Sequence, residues 1–306
     1  MKSSPKLARL LWLVAALVVV CASAMAQDME PRSYSPAPVG TNFAQLSYGR
    51  TTGSVVLDPT IPITNASADF NTVIAGYYHA FGLFGRQTTV ALGVPYVWGT
   101  GQGLVSGVSR RIYRSGLGDP RLRFVFILYG SPAVGPTEFK QQKHRTVVGT
   151  SLVVQAPLGQ YDPNLLINIG TNRWAFKPEI GVSRTLHSWL LELDLGGWFF
   201  GQNSDFVHQV REQAPLGSVQ AHVSYTFRPG LWLAFDSTYY TGGRTHLNGI
   251  RSDDLQQNSR LGATLALPFT RAQSVKLTYT RGAVVRVGGN FTTFGISYQL
   301  RWFTRR

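Results

Sequence analysis

The chain has 306 residues, of which only 14% are charged and 12% aromatic, with a formal net charge of +14 and one cysteine, Cys21. One cysteine builds no disulfide framework, so burial and hydrogen bonding must hold the fold. Beyond the first residues no apolar stretch approaches ~18 residues, which excludes helical membrane spans, and the scattered basic residues exclude nucleic acid as a partner.

Lys2, Lys6 and Arg9 precede an apolar run over 10–21, and Ala24-Met25-Ala26 is an A-x-A cleavage site. Residues 1–26 therefore read as a cleavable signal peptide, with the mature chain beginning at Gln27. Removing three basic residues from +14 leaves a mature charge of +11. A lipoprotein reading through Cys21 is weaker, because Val19 and Val20 stand where a lipobox needs small side chains. Residues 27–42 carry a proline-rich stretch that suits either a periplasmic tail or a segment tucked into a lumen.

From residue 43 onward the signal is alternation with a period of two, since successive strand side chains point to opposite faces. The segments are 43–51, 72–82, 87–98, 121–129, 145–157, 174–184, 189–200, 218–227, 231–240, 258–268, 274–281 and 290–302. In 87–98, Val90, Leu92, Val94, Tyr96 and Trp98 share one face; in 290–302, Phe294, Ile296, Tyr298, Leu300 and Trp302 do. Pro95 falls inside a segment, where a proline without an N–H suggests a bulge. Long connections (51–71, 99–120, 158–173, 201–217, 241–257) alternate with tight ones (83–86, 185–188, 228–230, 269–273). The connection 130–144 is an exception, long on the short-turn side. Tyr96, Trp98, Trp174, Trp189, Tyr239, Tyr240 and Trp302 recur near strand ends, as interfacial girdles do.

Hydrocarbon offers no partner for unpaired backbone groups, so a sheet survives there only if it closes on itself. The expected fold is all-β: a transmembrane antiparallel up-and-down β-barrel of about 12 strands over 43–303, with short periplasmic turns and longer extracellular loops. Residues 304–306 form a short tail. A soluble periplasmic β-protein is the competing reading.

Four stretches resemble an outer-membrane transporter family named for the meta-pathway of phenol degradation. They are 30–40 (EPRSYSPAPVG), 115–124 (SGLGDPRLRF), 156–184 (APLGQYDPNLLINIGTNRWAFKPEIGVSR) and 211–236, which ends in HVSYTFRPGLWLAFD. The resemblance implies an outer-membrane barrel in a Gram-negative bacterium that admits small, aromatic or hydrophobic compounds.

By alternation the inward face carries Arg121, Arg123, Lys177, Glu179, Glu192, Asp194, His222, Asp236, Arg260, Lys276 and Arg301, which would set selectivity in an open lumen or knit a narrow one shut. Trp198, Trp232 and Tyr240 fall on the same face and are candidates for stacking on a flat solute. Expected partners are a small-molecule solute, outer-membrane lipid and lipopolysaccharide, and the barrel-assembly machinery through the strand ending at Trp302. A closed structural or adhesive barrel acting through external loops is the alternative. An outer-membrane lipid hydrolase is the third reading, because His222 and Ser224 stand two apart on one strand. Both carry inward parity, and no third partner is evident. The glycine-rich 99–107 reads as a flexible external loop. No metal-ligand spacing or cofactor motif occurs, so no cofactor and no enzymatic activity are expected.

Overall fold

The computed structural model describes residues 29–57, 63–105, 107–142 and 145–304. The expected signal peptide, Gln27, and the last two residues of the tail lie outside the described residues.

The elements in chain order are β1 (Thr41–Val56), β2 (Ile63–Leu83), β3 (Arg86–Val105), β4 (Val108–Leu117), β5 (Arg121–Tyr129), α1 (Pro136–Phe139), β6 (Thr146–Gln155), β7 (Ala175–Leu186) and β8 (Trp189–Phe200). They continue with β9 (Asn203–Phe206), β10 (Gln209–Gln213), β11 (Leu216–Arg228), β12 (Leu231–Gly242), β13 (Thr245–Leu247), β14 (Ile250–Arg251), β15 (Gln256–Pro268), β16 (Gln273–Val285) and β17 (Gly288–Phe303). The barrel runs β1-β2-β3-β5-β6-β7-β8-β11-β12-β15-β16-β17 and closes by pairing β17 with β1 from Thr41↔Phe303 to Val56↔Gly288. Twelve antiparallel strands thus leave no free edge, as hydrocarbon demands.

The outer wall presents Leu46, Leu92, Ile180, Leu193, Phe235, Leu261, Phe294 and Ile296, all exposed. A water-facing surface does not carry so continuous an apolar band, whereas acyl chains require one. Aromatics gird it at both ends. Trp98 contacts Tyr48 and Tyr96 toward the long loops; near the short turns Tyr225 contacts Trp189 and Phe227, and Tyr77 contacts Trp302. Tyr240 is a correction to the expected girdle, since it turns inward and is fully buried.

Three features differ from expectation. Pro95 sits at no bulge: it pairs with Ile74 where β3 changes neighbour, from β5 (last pair Gly93↔Arg121) to β4 (first pair Tyr96↔Leu117). A residue with no N–H costs nothing at the gap between two partners. The glycine-rich 99–107 is no loose loop, because β3 runs on to Val105 and folds back as β4. Long connections on the same side also carry β9, β10, β13 and β14, which pair into a small four-stranded sheet over that end.

The described part of the connection 130–144 lies at the opposite end. Ala133 N donates to Gly85 O, Gln87 N to Ser131 O, and Val39 N to Val134 O, so it packs on the β2–β3 turn and holds the segment leading into β1.

Candidate functional site

The lumen is built by inward parity, and residues 29–40 enter it. Tyr34 is 1% exposed at mid-lumen, its hydroxyl donating to Glu179 Oε1 at 3.0 Å and lying 3.2 Å from Ser151 Oγ. Its ring fits a notch made by Gly149 and Gly181, which face each other across β6 and β7. A Cβ on either glycine would occupy the position of the Tyr34 ring. Lower down, Arg32 N donates to Glu192 Oε2 at 2.8 Å, its guanidinium donates to Thr226 Oγ1 at 2.6 Å, and it covers the Trp232 ring at 4.4 Å. Glu30 pairs with Arg123.

Around this segment the expected inward charges meet. Glu179 accepts from Lys177 Nζ at 2.7 Å, Arg123 at 3.2 Å and Gln220 at 3.0 Å. His222 Nδ1 lies 2.7 Å from Asp236 Oδ1, its cross-strand neighbour, and its Nε2 lies 3.8 Å from Asp194. Thr264 Oγ1 donates to the other oxygen of Asp236 at 3.2 Å. Charges buried this deeply persist only when paired in this way. Arg121 holds Gln155 Oε1 and lies over Trp198; Arg260 reaches Thr280 and the Phe291 carbonyl; Lys276 lies over Trp232. Arg301 departs from the lining, being exposed at the short-turn rim where its guanidinium holds the Arg271 carbonyl.

The three aromatic candidates are packing residues in this structure. Trp198 and Tyr240 share a cluster with Val153, Ala175 and Leu216, and Trp232 packs on Ala234 and Ala266. Asp236 supplies the acidic neighbour that the sequence left unassigned for His222. Among the described residues neither His222 Nε2 nor Ser224 Oγ has a hydrogen-bond partner, and both residues are buried toward the lumen. Among the described residues no group of three His, Cys, Asp or Glu could hold a metal ion.

The inner wall has two unlike halves. From β6 to β15 the inward residues are almost all buried under the N-terminal segment and the charge network. Across β16, β17, β1, β2 and β3 the inward Lys276, Thr278, Ser297, Gln299, Gln45, Ser47 and Ala91 stay partly accessible, and Ile74 is 37% exposed. Sequence parity found the inward face but not this division, which depends on which wall the N-terminal segment chooses. Under the loop 158–173 a separate cavity of about 70 Å³ is lined by Phe70, Val97, Ile112, Arg114, Ile167 and Ile169. It is smaller than the ~150 Å³ cavity known to take up benzene, so it does not seat an aromatic ring as it stands.

A family model described as "Putative MetA-pathway of phenol degradation" matches residues 49–300. No curated protein matches the chain. Among solved structures, an outer membrane channel from Pseudomonas putida F1 is similar over 90% of this chain and 100% of its own, with a TM-score of 0.75 at 20% identity. The translocator domain of the autotransporter NalP from Neisseria meningitidis is similar over 95% of this chain and 99% of its own, with a TM-score of 0.52 at 8% identity. At these identities the likeness is one of fold.

Proposed function

The chain belongs to the phenol-degradation family matched over residues 49–300, and on that premise we propose that it is an outer-membrane channel for passive uptake of small compounds, aromatic and hydrophobic ones included. The observation that carries this reading is the half-filled lumen. A barrel serving only as a scaffold gains from packing its whole interior, yet the wall from β16 to β3 keeps polar and small inward residues accessible opposite the buried half. In this reading water and a small solute pass along that wall, where the closed sheet already satisfies the backbone hydrogen bonds.

In this reading the leader 1–26 exports the chain, and the strand ending at Trp302 is what the barrel-assembly machinery reads. The small-sheet cap faces outward among lipopolysaccharide phosphates, which the mature charge of +11 suits. The test is discrete conductance of the purified mature protein in planar bilayers, together with slower growth on an aromatic carbon source when the gene is removed. A silent bilayer with unchanged growth would reject the channel. A closed barrel acting through its loops would then be favoured, and partner binding would be lost on trimming the β3–β4 hairpin.

A further inference from the structure

Two arginines in the cap lie outside the lumen network. Arg173, just before β7, and Arg211, in β10, are 5% and 6% exposed. Each guanidinium lies on a phenyl face, Arg173 at 4.5 Å from the Phe200 centroid and Arg211 at 5.1 Å from Phe206. Arg173 donates to Gln213 through Nη2, and its buried Nη1 has no partner among the described residues. Gln213 stands two residues beyond Arg211 on the same strand face, which brings the two cations together. Burial pushes both guanidinium values down, and for Arg173 the Arg211 cation pushes the same way.

The acids that act on them are committed elsewhere. Asp119 accepts from Gln155, from Gly159 N and from both the N–H and hydroxyl of Thr171. Asp254 accepts from the N–H and hydroxyl of Thr245. Among the described residues no carboxylate pairs directly with either arginine. Adjacent buried cations without a directly paired carboxylate are unfavourable, and contact with a ring face offsets only part of that cost.

We propose that Arg173 and Arg211 form an anion site in the cap that takes the carboxylate of a small organic solute. This rests on the channel reading and gives it a substrate class: organic anions, with aromatic carboxylates favoured by the phenyl rings of Phe200 and Phe206 beside the cations. Paired guanidinium forks match a carboxylate's two oxygens, and their fixed seats on the rings leave little to reorganise.

The experiment compares benzoate with benzyl alcohol, similar in size but neutral, on the full mature protein in detergent. Benzoate is expected to raise the unfolding temperature and benzyl alcohol to leave it unchanged. R173Q and R211Q should abolish the benzoate shift. R211K keeps the charge and most of the packing, and should weaken benzoate binding by about tenfold through loss of the fork. Heat-modifiable migration on gels confirms that each variant still forms the barrel. Equal response to the two probes, or a benzoate shift that survives in both glutamine variants, overturns the site. Binding that depends on the arginines in a protein that does not conduct would keep the site and reject the channel; conductance indifferent to benzoate and to both variants would do the reverse.

Discussion

Gly149 and Gly181 decide where the N-terminal segment sits, because only a pair of residues without Cβ atoms leaves room for the Tyr34 ring between β6 and β7. The hydroxyl then completes the coordination of Glu179, which already holds Lys177 and Arg123. Tyr34→Phe keeps the ring and loses those hydrogen bonds, so it should cost about 1–3 kcal/mol, read from the urea midpoint of the protein folded in lipid. Gly181→Val removes the notch itself. It is expected to expel Tyr34 and raise single-channel conductance several-fold while the barrel keeps its heat-modifiable migration; unchanged conductance would show that the ring does not seal the lumen. At this scale the sequence was partly legible. Parity placed Glu179, Asp194, His222 and Asp236 on one face, since period two is enforced by strand geometry alone. It could not show that Tyr34 would join them, because contacts between residues 117 or 145 positions apart follow from tertiary placement.

At the scale of elements, all twelve expected strands are present, because acyl chains outside and a polar interior write the same alternation into each. The boundaries moved outward at the long-loop end, where β2 begins at Ile63 and β3 runs to Val105. Beyond the membrane both faces meet water, the alternation fades, and glycines that read as a loop are paired strand. The outward parity makes a prediction of its own. Leu193→Arg, on the lipid face of β8, should destabilise the barrel by ~2–4 kcal/mol, whereas Ser297→Arg on the accessible inner wall should change it little, both by unfolding in lipid vesicles. Deleting 29–39 tests the N-terminal segment. The strands and their register remain, so the barrel should still form, with conductance raised several-fold and lower stability because Glu192 loses the Arg32 N–H and Arg123 loses Glu30.

For the whole molecule, the segment inside the barrel has a consequence for biogenesis. At one mouth Ser131, Ala133 and Val134 hold the β2–β3 turn and Val39, and the small sheet of β9, β10, β13 and β14 stands at the other. Once β1 has zipped to β17 along its full length, the leading residues would have to enter a closed cylinder at the mouth where Val39 is held. Laying them against β6–β8 while the cylinder is still an open, curling sheet avoids that passage, and the order expected from it leaves the seam between the first and last strands as the final one to shut. The cork is fitted before the bottle is made round.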